Sequence, residues 1–157
     1  MESRKPLQNK CFSIKTGSRR NIRVYRKVVG RIMRVIAEKM ITVEQELASD
    51  FGDFILFALF LREASPGLWD VIVSAPWIDE NKKEGMDKVV AKINAHLKKE
   101  ERLRLTRIVI VEHDHPELHE LDHFNFAQSS QLIEVKNENL LGQDIKQAFF
   151  IPLKQAA

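Results

Sequence analysis

An unbroken apolar run, FILFALFL at 54–61, constrains this chain more than any other stretch. Asp50, Gly52 and Asp53 precede it, and Ser65-Pro66-Gly67 follows it. Apolar residues in a run of this length, bounded by turn formers, read as a strand buried on both faces. Periodicity alone leaves a buried helix as the alternative. A strand covered on both faces belongs in a layered domain, and 157 residues at 44% hydrophobic can supply one such core.

Around the run the pattern alternates between periods. LWDVIVS at 68–74 reads as a second strand, close enough to the first to form an antiparallel hairpin. Residues 81–99 are helical, with Met86, Val89, Val90, Ile93 and Leu97 on one face. Residues 107–112 form a third strand. Pro116 opens a helix to about Phe126, whose inward arc is Leu118, Leu121 and Phe124. Residues 131–136 make a fourth strand, 137–144 a turn-rich loop around Gly142, and 147–153 a last strand. Strand, helix, strand, helix, strand from 68 to 136 predicts two right-handed crossovers and three parallel strands. The expected fold is α/β: a single domain with a mixed, mostly parallel sheet of about five strands flanked by helices, plus an N-terminal basic amphipathic helix.

That helix is predicted at 19–40, after a basic N-terminal tail at 1–17, which leaves 18–157 as the single α/β domain. Ser18 is positioned to cap it. Ile22, Tyr25, Val28, Val29, Ile32, Met33, Ile36 and Met40 share one arc, and Arg20, Arg23, Arg26, Lys27, Arg31 and Arg34 the other. Thr42 and Gln45 have capping-box spacing, which predicts a separate short helix to Ala48. Charge is divided unevenly. Residues 1–40 hold twelve Lys or Arg against two acids, a net +10, and the remaining thirteen bases and twenty acids give −7. Arginines in the first helical turns oppose the helix dipole by a few tenths of a kcal/mol each, which favours an anionic partner. A charge run is also the ordinary composition of a solvated face.

Parallel strands deliver their C-terminal ends to one side of a sheet, where open α/β folds bind ligands. There the expected fold gathers Ser74, Trp77 and Asp79, then Glu112, His113, Asp114 and His115, then Lys136, Asn137 and Asn139. Polar loops at strand ends are also common to every α/β protein, so position alone carries this expectation. Glu112, His113, Asp114 and His115 are the candidate metal ligands. His115, His119 and His123 recur every four residues, but they lie nearly opposite the apolar arc. Cys11, the only cysteine, allows neither an intrachain disulfide nor a thiolate zinc site. Glu134-Val135-Lys136, with Asp70 as the second carboxylate, has the residue types of a metal-dependent nuclease centre, and equally those of a salt-bridged strand surface. No phosphate loop, nucleophile elbow or C-x-x-C is present, and nothing specifies a cofactor.

The expected function is therefore a cytoplasmic binding or regulatory module that associates through its basic helix. Arg23, Arg26, Lys27, Arg31 and Arg34 would meet an acidic protein surface, such as that around Glu117, Glu120 and Asp122 of a second copy. Nucleic acid is the other partner class. A membrane is not, since the apolar run falls far short of the roughly 20 residues a span needs. The alternative is a metal-dependent hydrolase or nuclease using the strand-end carboxylates and histidines.

Overall fold

In the computed structural model, which describes residues 19–124 and 129–154 with side chains from Arg31 onward, helix α1 covers Arg19–Phe51. The tail 1–17, the Ser18 cap and the expected helix end at Phe126 lie outside the described residues. The chain divides into two compact units, Met1–Val35 and Ile36–Ala157. In the first, the described residues are helical, and Arg31 and Arg34 are exposed. The break expected at Thr42 is absent. No Gly or Pro interrupts the segment, and Ile36, Met40, Val43 and Leu47 continue one apolar stripe, each completely buried. Gly52 ends the helix at φ 134°, donating its N–H to the Ala48 carbonyl at 3.0 Å.

Strands β1 (Leu56–Arg62) and β2 (Trp69–Ser74) form the expected antiparallel hairpin. Helices α2 (Pro76–Glu80) and α3 (Lys82–His96) follow, and the Asn81 side chain accepts the Glu84 N–H at 3.1 Å to start α3. After the single turn α4 (Lys99–Arg102), strand β3 (Leu105–Ile110) pairs parallel with β2. A 3-10 helix, Pro116–Phe124, leads to β4 (Ile133–Leu140) and β5 (Gln143–Phe150). The last two strands meet in a two-residue turn with Leu141 and Gly142 at φ 52° and 78°. Strands therefore occupy much of 137–144, which was expected to be a loop.

The sheet is mixed, with order β3-β2-β1-β5-β4, and only β2 and β3 are parallel. The expectation of a mostly parallel sheet is thus corrected: β4 runs against β2 and β3. The chain leaves β3 where Val111 donates to the Val73 carbonyl. By Glu117 it has come back to the far end of the strands, beside Gly142. The 3-10 helix then rises again, so that Phe124 stacks on Phe150 at 5.5 Å. A loop with a turn closed by the His115 N–H to the Glu112 carbonyl at 2.9 Å, not a helix, makes the return, and β4 starts at the end where β3 stopped.

One face of the sheet packs Leu56, Ala58, Phe60, Ile72 and Phe150 against Leu118 and Leu121 of the 3-10 helix. Val135 and Leu140 both join this cluster, as do Ala148 and Ile145, which a strict period of two cannot give. Asn137, left-handed at φ 56°, and the register shift beside Arg62 reset the alternation. On the other face Phe57, Leu59, Val71, Val73 and Phe149 are buried. There α3 contributes Met86, Val90 and Ile93 to a groove with Val71 and Ile108. From Ile36 onward α1 is tied to α3 and α4 by Lys39–Glu101 at 2.8 Å, Lys92–Glu46 at 3.2 Å and His96–Glu46 at 3.1 Å.

Glu44, fully buried on α1, accepts the backbone N–H of Lys154 on both carboxylate oxygens at 3.1 Å. Burial, aided by nearby Asp53, pushes its pKa above 4.5 against the lowering effect of that N–H and of the Lys154 charge. A raised carboxyl pKa favours folding most in acid, and the contribution is lost as pH rises from 4.5 through the folded value. Glu44→Gln should therefore flatten stability against pH. Urea unfolding should show the variant gaining on wild type as pH rises from 4.5 towards neutrality.

Candidate functional site

Asp70 is a carboxylate inside an apolar strand, only 2% exposed, and it sets the floor of a cleft on the 3-10 face. The pairing of β1, β2 and β3 brings Arg62 and Arg107 to the same level. Arg62 Nε donates to Asp70 Oδ2 at 2.7 Å and Arg107 Nη2 to the same oxygen at 3.2 Å. Arg107 Nε lies 3.2 Å from Oδ1, which is buried and accepts no hydrogen bond. Two guanidinium groups on one carboxylate leave a net positive charge, and half-exposed Arg107 carries it towards the cleft.

The cleft has a volume of about 360 Å³. Phe60, Ile72, Val109 and Leu140 give it an apolar wall, while His115, Glu117 and Gln143 face them as polar groups. His115 Nδ1 accepts the Glu117 N–H at 3.2 Å, which leaves Nε2 to carry the proton of the neutral ring. Lys82 and Glu112 close one end as an exposed pair at 3.2 Å. Such a lining holds an apolar group on one side and orients polar atoms on the other.

At the C-terminal ends of β2 and β3, the structure joins two of the residues singled out from sequence. Asp79 Oδ2 accepts the His113 backbone N–H at 2.8 Å and lies 2.5 Å from His113 Nδ1. That hydrogen bond chiefly raises the His113 pKa above 6.5. Partial desolvation opposes it, and the charges of Asp79, Asp114 and Glu112 add to it. Asp79 Oδ1 is buried and without a partner, as is the hydroxyl of Ser74 at the end of β2.

Other expected members are elsewhere. Trp77 is held in packing, donating Nε1–H to the Gly52 carbonyl at 2.9 Å and touching Phe51 and Phe54. Asn137 and Asn139 lie towards the β4–β5 turn, and Asn139 donates to Asp144 at 3.1 Å. Because β4 is antiparallel to β2, that turn is at the opposite end of the strands from Ser74. Glu134 pairs across the sheet with Phe149, and Asp70 with Phe60, which places them on opposite faces. Two strands, β1 and β5, also stand between them. Glu134 instead receives the Gln147 side chain at 2.5 Å and lies 3.6 Å from Lys136. Arg31 and Arg34 are on α1, and the side chains of Arg23, Arg26 and Lys27 lie outside the described residues.

The four-residue histidine spacing also loses its meaning. A 3-10 helix turns about 120° per residue, so His119 and His123 point about 120° apart, and His115 precedes the helix. Among the described residues, no group of three or more His, Cys, Asp or Glu side chains is placed to hold a metal ion. The missed residues, Arg62, Arg107, Lys82 and Gln143, had one signal between them. A lone Asp in WDVIVS needs a cationic neighbour, and only strand order shows which cation.

From 112 to 124 the chain has five acids, Glu112, Asp114, Glu117, Glu120 and Asp122, and no Lys or Arg. All but half-buried Glu117 are exposed, so this segment is a negatively charged strip, of which Glu112 and Glu117 line the cleft. His113 pairing is testable by NMR. Asp79→Asn should move the His113 titration midpoint down towards 6.5. With the pKa raised in the fold, the pair's contribution is complete below 6.5 and fades as pH climbs through the folded value. The variant should accordingly lose more stability at pH 5.5 than at pH 8.5, by the small amount expected of an exposed pair. No protein-family model, curated protein or solved structure matches this chain.

Proposed function

We propose that this chain is a cytoplasmic binding module that associates with itself, the basic face of α1 in one copy docking on the acidic strip of another. The acidic strip is the observation that carries this reading. Arg23 to Arg34 spans about 16 Å at 1.5 Å per residue of α-helix. The 3-10 helix Pro116–Phe124 spans about 16 Å at 2.0 Å per residue. Five bases, Arg23, Arg26, Lys27, Arg31 and Arg34, match in sign five acids, of which Glu117, Glu120 and Asp122 lie on that helix and Glu112 and Asp114 just before it. Exposed pairs supply about 0.2–1 kcal/mol each, so the contact is weak, reversible and sensitive to salt.

Nucleic acid would use the same arginines, but it has no use for the acidic strip. The hydrolase alternative rests on Glu112, His113, Asp114 and His115. It would gain only from metal-dependent cleavage that disappears in Glu112→Ala. Among the described residues no helix is long and apolar enough to cross a membrane.

Sedimentation at low ionic strength should show concentration-dependent association that weakens steeply as salt is added. Replacing Arg26, Lys27, Arg31 and Arg34 by Gln should abolish it, and so should Glu120→Lys with Asp122→Lys. Protonation of His113, favoured by its pairing with Asp79, should also weaken it at pH 5.5 relative to pH 8. Association unaffected by either charge set would refute the reading, and nucleic-acid binding retained in the acidic-strip variant would replace it.

A further inference from the structure

The two edges of the sheet are built differently. On β4, Glu134, Lys136 and Glu138 are exposed and Asn137 kinks the strand, features that keep an edge from pairing with another chain. Strand β3 is the other edge, and among the described residues it pairs only with β2. Its residues 108–111, Ile-Val-Ile-Val, contain no charge and no proline, and all four are only half-buried. Val111 donates its N–H inward to Val73 at 2.9 Å. Alternation then turns the N–H and C=O of Ile108 and Ile110 away from the sheet. Behind this edge, on the α3 face, lies an apolar groove of about 260 Å³ whose lining includes Met86, Val90 and Ile108.

Charge along β3 is polarised. Arg102 and Arg104 precede the strand, while Glu112 and Asp114 follow it. Two copies laid antiparallel set each basic end beside the other's acidic end, twice over. A parallel arrangement would set like beside like. A two-fold axis normal to the sheet keeps each face on its own side, so paired residues must share a face. Centring on Val109 meets that condition and puts the outward amide of Ile108 opposite Ile110 of the second copy. It also lays the apolar grooves of the two copies side by side.

We infer that β3 is a self-pairing edge through which two copies of this chain join into one continuous ten-stranded sheet, with Arg104 of each copy alongside Glu112 and Asp114 of the other. This surface shares Glu112 and Asp114 with the acidic strip but does not depend on the helix contact proposed above. Main-chain hydrogen bonds and apolar contacts carry it, while the charges select its direction.

The test is sedimentation of the full chain in about 1 M salt, where the screening length falls to about 3 Å. A dimer should persist there, and the Gln substitutions in α1 should leave it unchanged. Ile110→Pro removes an outward N–H without touching the bonds to β2, and it should raise the dissociation constant by about tenfold or more. At low salt Arg104→Asp should weaken the dimer, and Arg104→Asp with Asp114→Arg should restore it. Wild-type hydrogen exchange provides a readout independent of any variant: the amides of Ile108 and Ile110 should become protected as concentration rises. A wild type that stays monomeric in high salt, or a dimer whose Ile108 and Ile110 amides exchange freely, would overturn the inference. So would a high-salt dimer indifferent to Ile110→Pro.

Discussion

Strand β1 is hydrogen-bonded along both sides and covered on both faces, and this double confinement organises everything else in the unit Ile36–Ala157. Leu56 through Phe60 are at most 3% exposed. Burying such side chains stabilises the fold by about 1.5–3 kcal/mol each. No backbone group of a strand in that position can be left to water, so it needs partners to left and right. The hairpin supplies β2 and the C-terminal strand supplies β5, both antiparallel. With the centre taken, α3 carries the chain to β3 on one flank and β4 closes the other.

Polar chemistry is then sorted by this frame. Asp70 tolerates burial because β1 and β3 each bring an arginine to it, and the same arginines leave positive charge at the cleft floor. The 3-10 helix lies across the same face, with Leu118 and Leu121 turned inward and Glu120 and Asp122 exposed. Apolar anchoring of that short helix is what holds a negative strip in place. In the proposed self-association, electrostatics there would steer the second copy, while the β3 edge would add a contact that salt does not screen.

Much of the frame was legible in the sequence. FILFALFL announced a doubly buried strand, SPG the hairpin turn, and the Met86 to Leu97 spacing the helix α3 that sets β3 parallel to β2. The direction of β4 was not legible. A crossover rule assumes that the helix makes the return, whereas here 111–116 returns and the 3-10 helix climbs back. The strict i, i+3 repeat of Leu118, Leu121 and Phe124 is the period of a 3-10 helix and was the available clue. At the site, Asp79 and His113 converge because they follow neighbouring parallel strands. Asn137 and Asn139 do not, because they depended on β4. Arg62 and Arg107 were invisible as partners of Asp70 until strand order placed them, since pairing is set by the whole sheet and not by local pattern.

The most direct measurement is a set of backbone NOEs on isotopically labelled protein. Ala58 should show cross-strand contacts both to Ile72 and to Phe150, and Ile133 should show them to Phe150. Contacts from 133–136 to β3, as three adjacent parallel strands would give, together with no contact from Ala58 to β5, would contradict the account.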